Sequence, residues 1–170
     1  MIKEILVSLI TRSNAFVYQW GYLGIFFMAF IESAFIVFPI TTLPLIFTFG
    51  GILNPFLVAL VAALGGTIGS STSYILGAGG KELAEKKYWR QLQNLRERFE
   101  KRGFIFIVFV TFLPVLPDNL MALFLGMIRY DIRKFFLFFF IGKFAAQAIV
   151  AYSGYYSITW MLRLLEIELL

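Results

Sequence analysis

Long blocks of nearly uncharged sequence dominate this chain. Residues 21–80, 103–128 and 135–162 each contain a single charged side chain. About 20 apolar residues are enough to cross the roughly 30 Å hydrocarbon core of a bilayer, so blocks of this kind indicate a polytopic membrane protein. The overall composition agrees, since 60% of the 170 residues are hydrophobic and only 15% are charged.

The residue types that are missing exclude several kinds of chemistry. The chain contains no cysteine and no histidine. Disulfides, thiol nucleophiles, Cys/His zinc sites and Ser-His-Asp triads are therefore excluded. Because no other nucleophile and base pair is visible either, we do not expect an enzyme, and we expect neither a cofactor nor a metal.

Prolines divide the first apolar block. Residues 1–20 mix charged and apolar side chains and predict an amphipathic interfacial helix ahead of that block. Within residues 21–54, Pro39 and Pro44 indicate a break in mid-membrane, followed by a turn near residues 50–55. We therefore expect this block to be broken rather than to form one straight crossing.

A crossing helix and a basic segment come next. Residues 55–80 predict an uninterrupted crossing helix, in which Gly65 and Gly69 have the spacing that allows close helix packing in lipid. Residues 81–102 contain eight basic and four acidic side chains. Apolar residues recur there at helical spacing, and the glutamates disfavour a nucleic-acid site, so we expect a cytoplasmic amphipathic helix.

The charges on either side of the second apolar block, residues 103–128, indicate whether it crosses the membrane once or forms a hairpin. Its length permits a single crossing at about 1.5 Å of helix per residue. However, segments 81–102 and 129–134 are both basic, and basic flanks tend to lie together in the cytoplasm. The sequence therefore predicts a re-entrant hairpin that enters and leaves on one face, with its tip near Pro114 and Pro117.

The two halves of the chain share one pattern. Residues 135–157 predict a second crossing helix, and residues 158–170 predict a short amphipathic tail. Each half then has a block broken by paired prolines, followed by a crossing helix. The expected fold class is all-α, a polytopic membrane protein with two inverted re-entrant helical hairpins. Transporters with inverted repeats hold their sites at the midplane, between broken helices.

Three charged side chains inside the apolar blocks are the candidate functional residues. Glu32 costs about 2.5 to 3.5 kcal/mol on insertion scales, so it requires a partner, a water-filled cavity or a proton. Asp118 lies at the expected hairpin tip, where it can cap a helix or handle ions. Lys143 lies near the bilayer centre. It is either a countercharge for Glu32 or Asp118, or a binding group for an anionic substrate head.

Several motifs occur together around these residues, in a fixed order. They are Glu32 followed by prolines; Gly69, Tyr74, Gly77 and Gly80 before the basic segment; and Pro114, Pro117, Asp118, Gly126 and Gly142-Lys143 after it. Over about residues 22–157 this pattern resembles the DedA family, also called the VTT or SNARE-associated Golgi protein domain. It is most similar to a divergent short branch of that family.

The resemblance implies two facing re-entrant hairpins and a role in moving lipids across the plasma membrane. The cargo would be anionic lipids or lipid-phosphate carriers such as polyprenyl phosphates, with or without coupled protons. Better-known members have a second carboxylate near Thr41 and Thr42 and arginines near Thr111 and Pro117, which this chain lacks. Thr41 and Thr111 are therefore added to the candidate site, and Lys143 is the candidate to replace the arginines.

Two other functions stay open at this stage. The same buried charges suit a small-solute or cation/proton antiporter. They also suit a membrane-organising protein that transports nothing and uses all three charges for structure.

Overall fold

The computed structural model of the chain describes residues 20–34, 42–79, 103–113 and 118–168, with single residues between 94 and 100. These residues are helical or in short connections, and they include no strand, which confirms the all-helical class for this part of the chain. The helices are α1 (Trp20–Ala34), α2 (Leu43–Ile52), α3 (Pro55–Gly79), α4 (Gly103–Phe112), α5 (Asp118–Met127) and α6 (Ile132–Glu168). The expected N-terminal helix, most of segment 81–102, and Pro39, Thr41, Gly80, Pro114 and Pro117 lie outside the described residues.

Helices α3 and α6 are long and apolar enough to cross a membrane, the latter over Ile132–Trp160. The other helices are apolar but shorter. Helix α6 continues to Glu168, so the expected tail at 158–170 does not begin as a separate element. The sequence explains this, because no proline or glycine follows Gly154 to end the helix.

Helices α3 and α6 pack side by side in opposite directions. The rings of Tyr74 and Phe135 lie 4.9 Å apart. A Cβ placed on Gly66, earlier in α3, would lie 3.3 Å from the Nζ of Lys143, later in α6. Because residue numbers rise along one helix as they fall along the other, the end of α3 lies beside the start of α6.

Helix α4 follows the first part of α6 in the same direction. The rings of Phe104 and Phe138 are 5.0 Å apart. Farther along, Thr111 packs directly against Gly142, where an added methyl group would overlap the threonine hydroxyl. Helix α4 therefore runs from the start of α6 to the level of Gly142, in the first third of that helix.

Helix α5 packs along α3 and runs in the direction opposite to α4. Its first residue, Asp118, is ion-paired with Lys143. Toward its other end, Gly126 presses against the carbonyl oxygen of Tyr74, while Gly77 of α3 presses against that of Leu123. Helices α4 and α5 are thus an antiparallel pair, which we call the second helix pair, and its closed end lies beside Lys143.

Helix α1 lies along α3 in the same direction. Gly65 and Gly69 face the carbonyl oxygens of Phe26 and Phe30 so closely that an added methyl group would overlap them. Close approach of this kind is what small residues at this spacing permit in lipid.

Helix α2 returns antiparallel to α1, and together they are the first helix pair. At the closed end of this pair, on the side of Glu32 and Thr42, the backbone N–H of Thr42 donates to the carboxylate of Glu32. At the opposite, open end, the backbone N–H of Asn54 donates to the hydroxyl of Tyr22 at 3.3 Å. On its other side α2 packs on α6, where Gly50 faces the backbone of Ala151. Each returning helix therefore packs on the long helix of the other half of the chain.

The connection from α5 to α6 has a defined backbone geometry. The N–H of Tyr130 donates to Leu125 O at 2.9 Å, and that of Arg129 donates to Gly126 O at 3.0 Å. This is the Schellman pattern, whose left-handed position usually holds glycine. Here that position is Arg129, with φ of 50°.

Replacing Gly126 with alanine should destabilise the protein, because the new methyl group would overlap the backbone of Tyr74. Overpacking of this kind costs about 1 to 3 kcal/mol. Gly24 is the matched control, since an added Cβ there meets nothing within 4 Å, and alanine is the better helix former. Thermal unfolding in detergent, followed by circular dichroism, should show a lower melting temperature for G126A only. Equal melting temperatures for the two variants would contradict this packing.

Asp131 caps the N-terminus of α6, and this gives a pH-dependent prediction. Its Oδ1 accepts from the N–H groups of Arg133 at 2.8 Å and Lys134 at 3.1 Å. The hydrogen bond from Lys134, with that from Arg133, lowers the pKa of Asp131 below its ordinary value of 3.8. A lowered pKa stabilises the fold above the ordinary value, and this contribution is lost as the pH falls toward the lower folded value.

Asp131→Ala should therefore lower the melting temperature at neutral pH, and the difference from the wild type should shrink below about pH 4. Asp131→Asn is the control, because an asparagine caps equally well without titrating. A difference that is constant with pH would show that the carboxylate form is not what stabilises the helix.

Candidate functional site

Lys143 joins the two helix pairs. Its Nζ forms an ion pair with Asp118 at the start of α5. The same atom donates a hydrogen bond of 3.1 Å to the Oγ of Ser33, near the end of α1. Only 9% of the lysine side chain is exposed. One buried cation on α6 is therefore bonded to the closed ends of both pairs.

Gly66 provides the space that this cation occupies. A Cβ at that position would lie 3.2 Å from Cδ and 3.3 Å from Nζ of Lys143, and 3.3 Å from the Oγ of Ser33. Since glycine has no side chain, the lysine can lie directly against α3. Helices α1, α3, α5 and α6 thus all meet at one point.

Glu32 has a different set of partners. Its Oε2 accepts a hydrogen bond of 3.1 Å from the backbone N–H of Thr42, and a second one from the hydroxyl of the same threonine. Thr42 is 3% exposed and immediately precedes α2. Of the two countercharges considered for Lys143, the structure therefore pairs it with Asp118, whereas Glu32 closes the first helix pair.

The helix termini add to the electrostatics of this point. Helices α2 and α5 both begin here, directly after Thr42 and at Asp118. The N-terminus of a helix carries a partial positive charge, which favours nearby carboxylates or a bound anion. The described parts of α1 and α4 end at the same point, at Ala34 and Phe112, and the partial negative charge of a helix C-terminus opposes that of an N-terminus. Lys143 is therefore the main positive charge facing the two carboxylates, of which only Asp118 has a charged partner among the described residues.

The remaining predicted residues fall into two groups. Thr111 is 5% exposed, and its hydroxyl donates to Ile107 O at 2.9 Å, so it lies beside the site without a polar bond to Lys143. Pro44 lies in the first turn of α2, a position where proline fits a helix. Thr41, Pro39, Pro114 and Pro117 are outside the described residues.

Sequence reasoning missed three participants. Ser33 and Gly66 had usable signals, since the first adjoins Glu32 and the second lies in a run of small residues. Thr42 had a signal in the family resemblance, since better-known members have a second carboxylate near Thr41 and Thr42, but only Thr41 was added to the candidate site.

The described residues also contain four buried polar atoms that have no hydrogen-bond partner among them. These are Thr67 Oγ1, Ser73 Oγ, Asn119 Oδ1 and Gln147 Oε1. Two of these residues lie close to the site in sequence, Asn119 next to Asp118 and Gln147 one turn after Lys143. Because buried polar groups normally have a partner, these atoms mark positions where water or a polar ligand would be stabilised.

These observations define a class, an α-helical protein with two candidate membrane spans and a buried charged site where four helices meet. The VTT domain matches residues 38–156, which is more than half of the chain. The chain therefore belongs to the VTT domain family, or DedA family, of membrane-associated proteins, as the motifs indicated. The matched region includes Asp118 and Lys143, while Glu32 precedes it. Neither a curated protein nor a solved structure matches the chain.

Lys143→Met should destabilise the protein by leaving Asp118 without its cation. Removing one partner of a fully buried pair costs about 3 to 5 kcal/mol, and we expect about 2 here because solvent reaches part of Asp118. The double variant K143M/D118N should recover much of this loss, since no unpaired charge is left.

The surface pair Arg96 and Glu100 is the control, with side chains 46% and 35% exposed. Such pairs contribute about 0 to 1 kcal/mol, so Arg96→Met should change the melting temperature little. If K143M and R96M melted alike in detergent, the buried pair would not hold the site together.

Proposed function

We propose that this protein is a membrane transporter that moves lipids or lipid-phosphate carriers between the leaflets of the plasma membrane. Its binding site is the point where the closed ends of the two helix pairs meet. The observation that carries the proposal is the pair of bonds that Lys143 makes, to Asp118 of one pair and to Ser33 of the other. Transporters built from inverted repeats place their sites at such a junction.

The helix directions support a re-entrant topology. Because the end of α3 lies beside the start of α6, the chain between them leaves and re-enters the membrane on one side. The second helix pair then opens toward that side, and the first pair opens toward the opposite side, where α3 begins. In this arrangement the two pairs are inverted re-entrant hairpins, and segment 81–102 is cytoplasmic.

The chemistry of the site suits a phosphate-bearing lipid head. The ammonium group of Lys143 can exchange its bond to Asp118 for one to a phosphate oxygen. The N-termini of α2 and α5 favour the same negative charge. Asp118, once released from Lys143, can then take up a proton or a cation. Glu32 is a second carboxylate available for this, because its present partners are neutral. Lipids and protons are thus the proposed partners, and no covalent step is needed.

The topology can be tested with single introduced cysteines, because the chain contains no native cysteine that would have to be removed first. Single cysteines at Arg96 and Arg133 should both react with an impermeant maleimide from the cytoplasmic face. A cysteine at Asn54 should react from the other face only. All three positions are exposed. Labelling of Arg96→Cys and Arg133→Cys from opposite faces would mean a single crossing and would overturn the hairpin arrangement.

Transport can be tested with purified protein in liposomes that carry a fluorescent anionic lipid. The wild type should move the label between leaflets faster than empty liposomes do. Glu32→Gln and Lys143→Met should fall close to the rate of empty liposomes, whereas the surface control Glu100→Gln should keep the wild-type rate. Wild-type rates no higher than those of empty liposomes, across several lipid classes, would rule out lipid transport.

A cation/proton antiporter is the second candidate, and the neutral partners of Glu32 favour it. With Lys143 bonded to Asp118, the described site has one carboxylate left for a cation or proton. Solute-dependent pH changes inside the liposomes, without lipid movement, would select this function. Variants that change stability while the protein shows no flux of either kind would instead indicate a membrane-organising role.

A further inference from the structure

Three cations surround the turn between α5 and α6, namely Arg129, Arg133 and Lys134, and we call them the turn cations. All three are exposed. Asp131 lies among them, but its Oδ1 accepts hydrogen bonds from the backbone of α6. Among the described residues, none of the turn cations lies within ion-pair distance of a carboxylate. Asp131 offsets part of their charge, since it interacts electrostatically with Arg133 and Lys134. With three cations against this one carboxylate, the turn carries a net charge of +2.

Arg129 is an unusual residue for its position. Its φ of 50° lies in the left-handed region, where glycine is free of strain and where a helix of this type usually has one. Its side chain makes no hydrogen bond or ion pair with a described residue. As a cation at the C-terminal end of α5, Arg129 is favoured by the helix dipole, but it bears the strain of a non-glycine residue at this position. Its exposed guanidinium, which has no bonded partner among the described residues, is available to a ligand.

Hydrogen bonds fix the backbone of the turn that carries these cations. Tyr130 is 1% exposed, and its carbonyl oxygen accepts a hydrogen bond of 2.5 Å from the hydroxyl of Tyr74. The Schellman hydrogen bonds fix the backbone on one side of it, and the Asp131 cap fixes it on the other. A ligand that meets the turn cations consequently orders little of the backbone, which favours binding.

The surface next to the turn cations is apolar. Leu137 is 54% exposed and Ile141 is 40% exposed, both within the membrane span of α6. They follow Arg133 at successive intervals of four residues, so they lie on the same side of the helix as this cation. A charged edge directly above an apolar face matches the headgroup and acyl chains of a lipid. A soluble anion would use only the charged edge.

We propose that the α5 to α6 turn binds the phosphate of an anionic lipid headgroup. Arg129 binds the phosphate through two parallel N–H donors of its guanidinium, Arg133 and Lys134 add charge beside it, and the acyl chains lie along Leu137 and Ile141. This site is at the membrane surface, separate from Lys143, and it requires no transport activity.

The test uses the purified full-length protein in phosphatidylcholine micelles, titrated with phosphatidylglycerol. The melting temperature and the number of bound lipids, from native mass spectrometry, are both measured. Arg129→Gly should melt about 2 to 4 °C higher than the wild type in phosphatidylcholine, because the strain is relieved. The same variant should bind phosphatidylglycerol about fivefold more weakly. A purely structural role for Arg129 predicts no loss of lipid binding.

Two further variants and one soluble probe complete the experiment. Arg133→Gln with Lys134→Gln should also weaken phosphatidylglycerol binding, and Arg129→Lys should keep most of it. The control Arg96→Gln removes a cation that is already paired with Glu100, so it should leave binding unchanged. Equal lipid affinity in the wild type and R129G would overturn the proposal. Stabilisation by inorganic phosphate as large as that by the lipid would also overturn it, since the site would then be one for a soluble anion.

Discussion

A single buried cation determines how the parts of this protein fit together. Lys143 bonds to the first helix pair through Ser33 and to the second through Asp118, and it does so where α3 and α6 cross. Lys143 is almost fully buried and Asp118 is partly buried, so solvent stabilises neither charge fully and each one needs the other. The ion pair therefore fixes the level to which each pair extends. It also gives the site its chemistry, since any anion that binds there competes with Asp118.

The glycines make this arrangement possible. Helices in lipid gain no hydrophobic free energy from contacting one another, so they associate through close packing and hydrogen bonds. Here the backbone contacts occur at Gly65, Gly69, Gly77 and Gly126, and Gly66 leaves the volume for the lysine. Hydroxyl groups complete the bonding where the chain is interrupted, as Thr42 does for Glu32. Small side chains thus hold the helices at the separation that the buried ion pair requires.

The sequence predicted the main helices and indicated three charged side chains as candidate functional residues, but it did not predict which charges pair. The length of the uncharged stretch indicated α3 correctly, and Asp118 as a possible helix cap indicated the start of α5. Both signals are local properties of the sequence. It could not decide whether Lys143 meets Glu32 or Asp118, since both carboxylates belong to distant segments and the choice depends on packing. The helix at 135–157 was expected to end before an amphipathic tail, but α6 continues to Glu168, because no helix-breaking residue lies between the two segments. Ser33 and Gly66 were missed because a hydroxyl or a glycine gains its role only from what packs against it.

The two long helices use equivalent positions differently, and this difference explains why the site has one cation. Gly65 of α3 receives α1, and Gly142 of α6 receives α4, so each long helix offers a glycine to the first helix of its own half. The residue after each glycine faces the centre, and there the halves diverge: α3 has Gly66 and α6 has Lys143. A lysine at both positions would put two ammonium groups into the same space, because Gly66 lies directly against Nζ. One half therefore supplies the charge and the other supplies the space for it.

As a result, Asp118 is neutralised by a cation, whereas Glu32 depends on the hydroxyl and backbone of Thr42 and on the N-terminus of α2. The two carboxylates are therefore held in different ways at the same level, Asp118 by a cation and Glu32 by neutral groups.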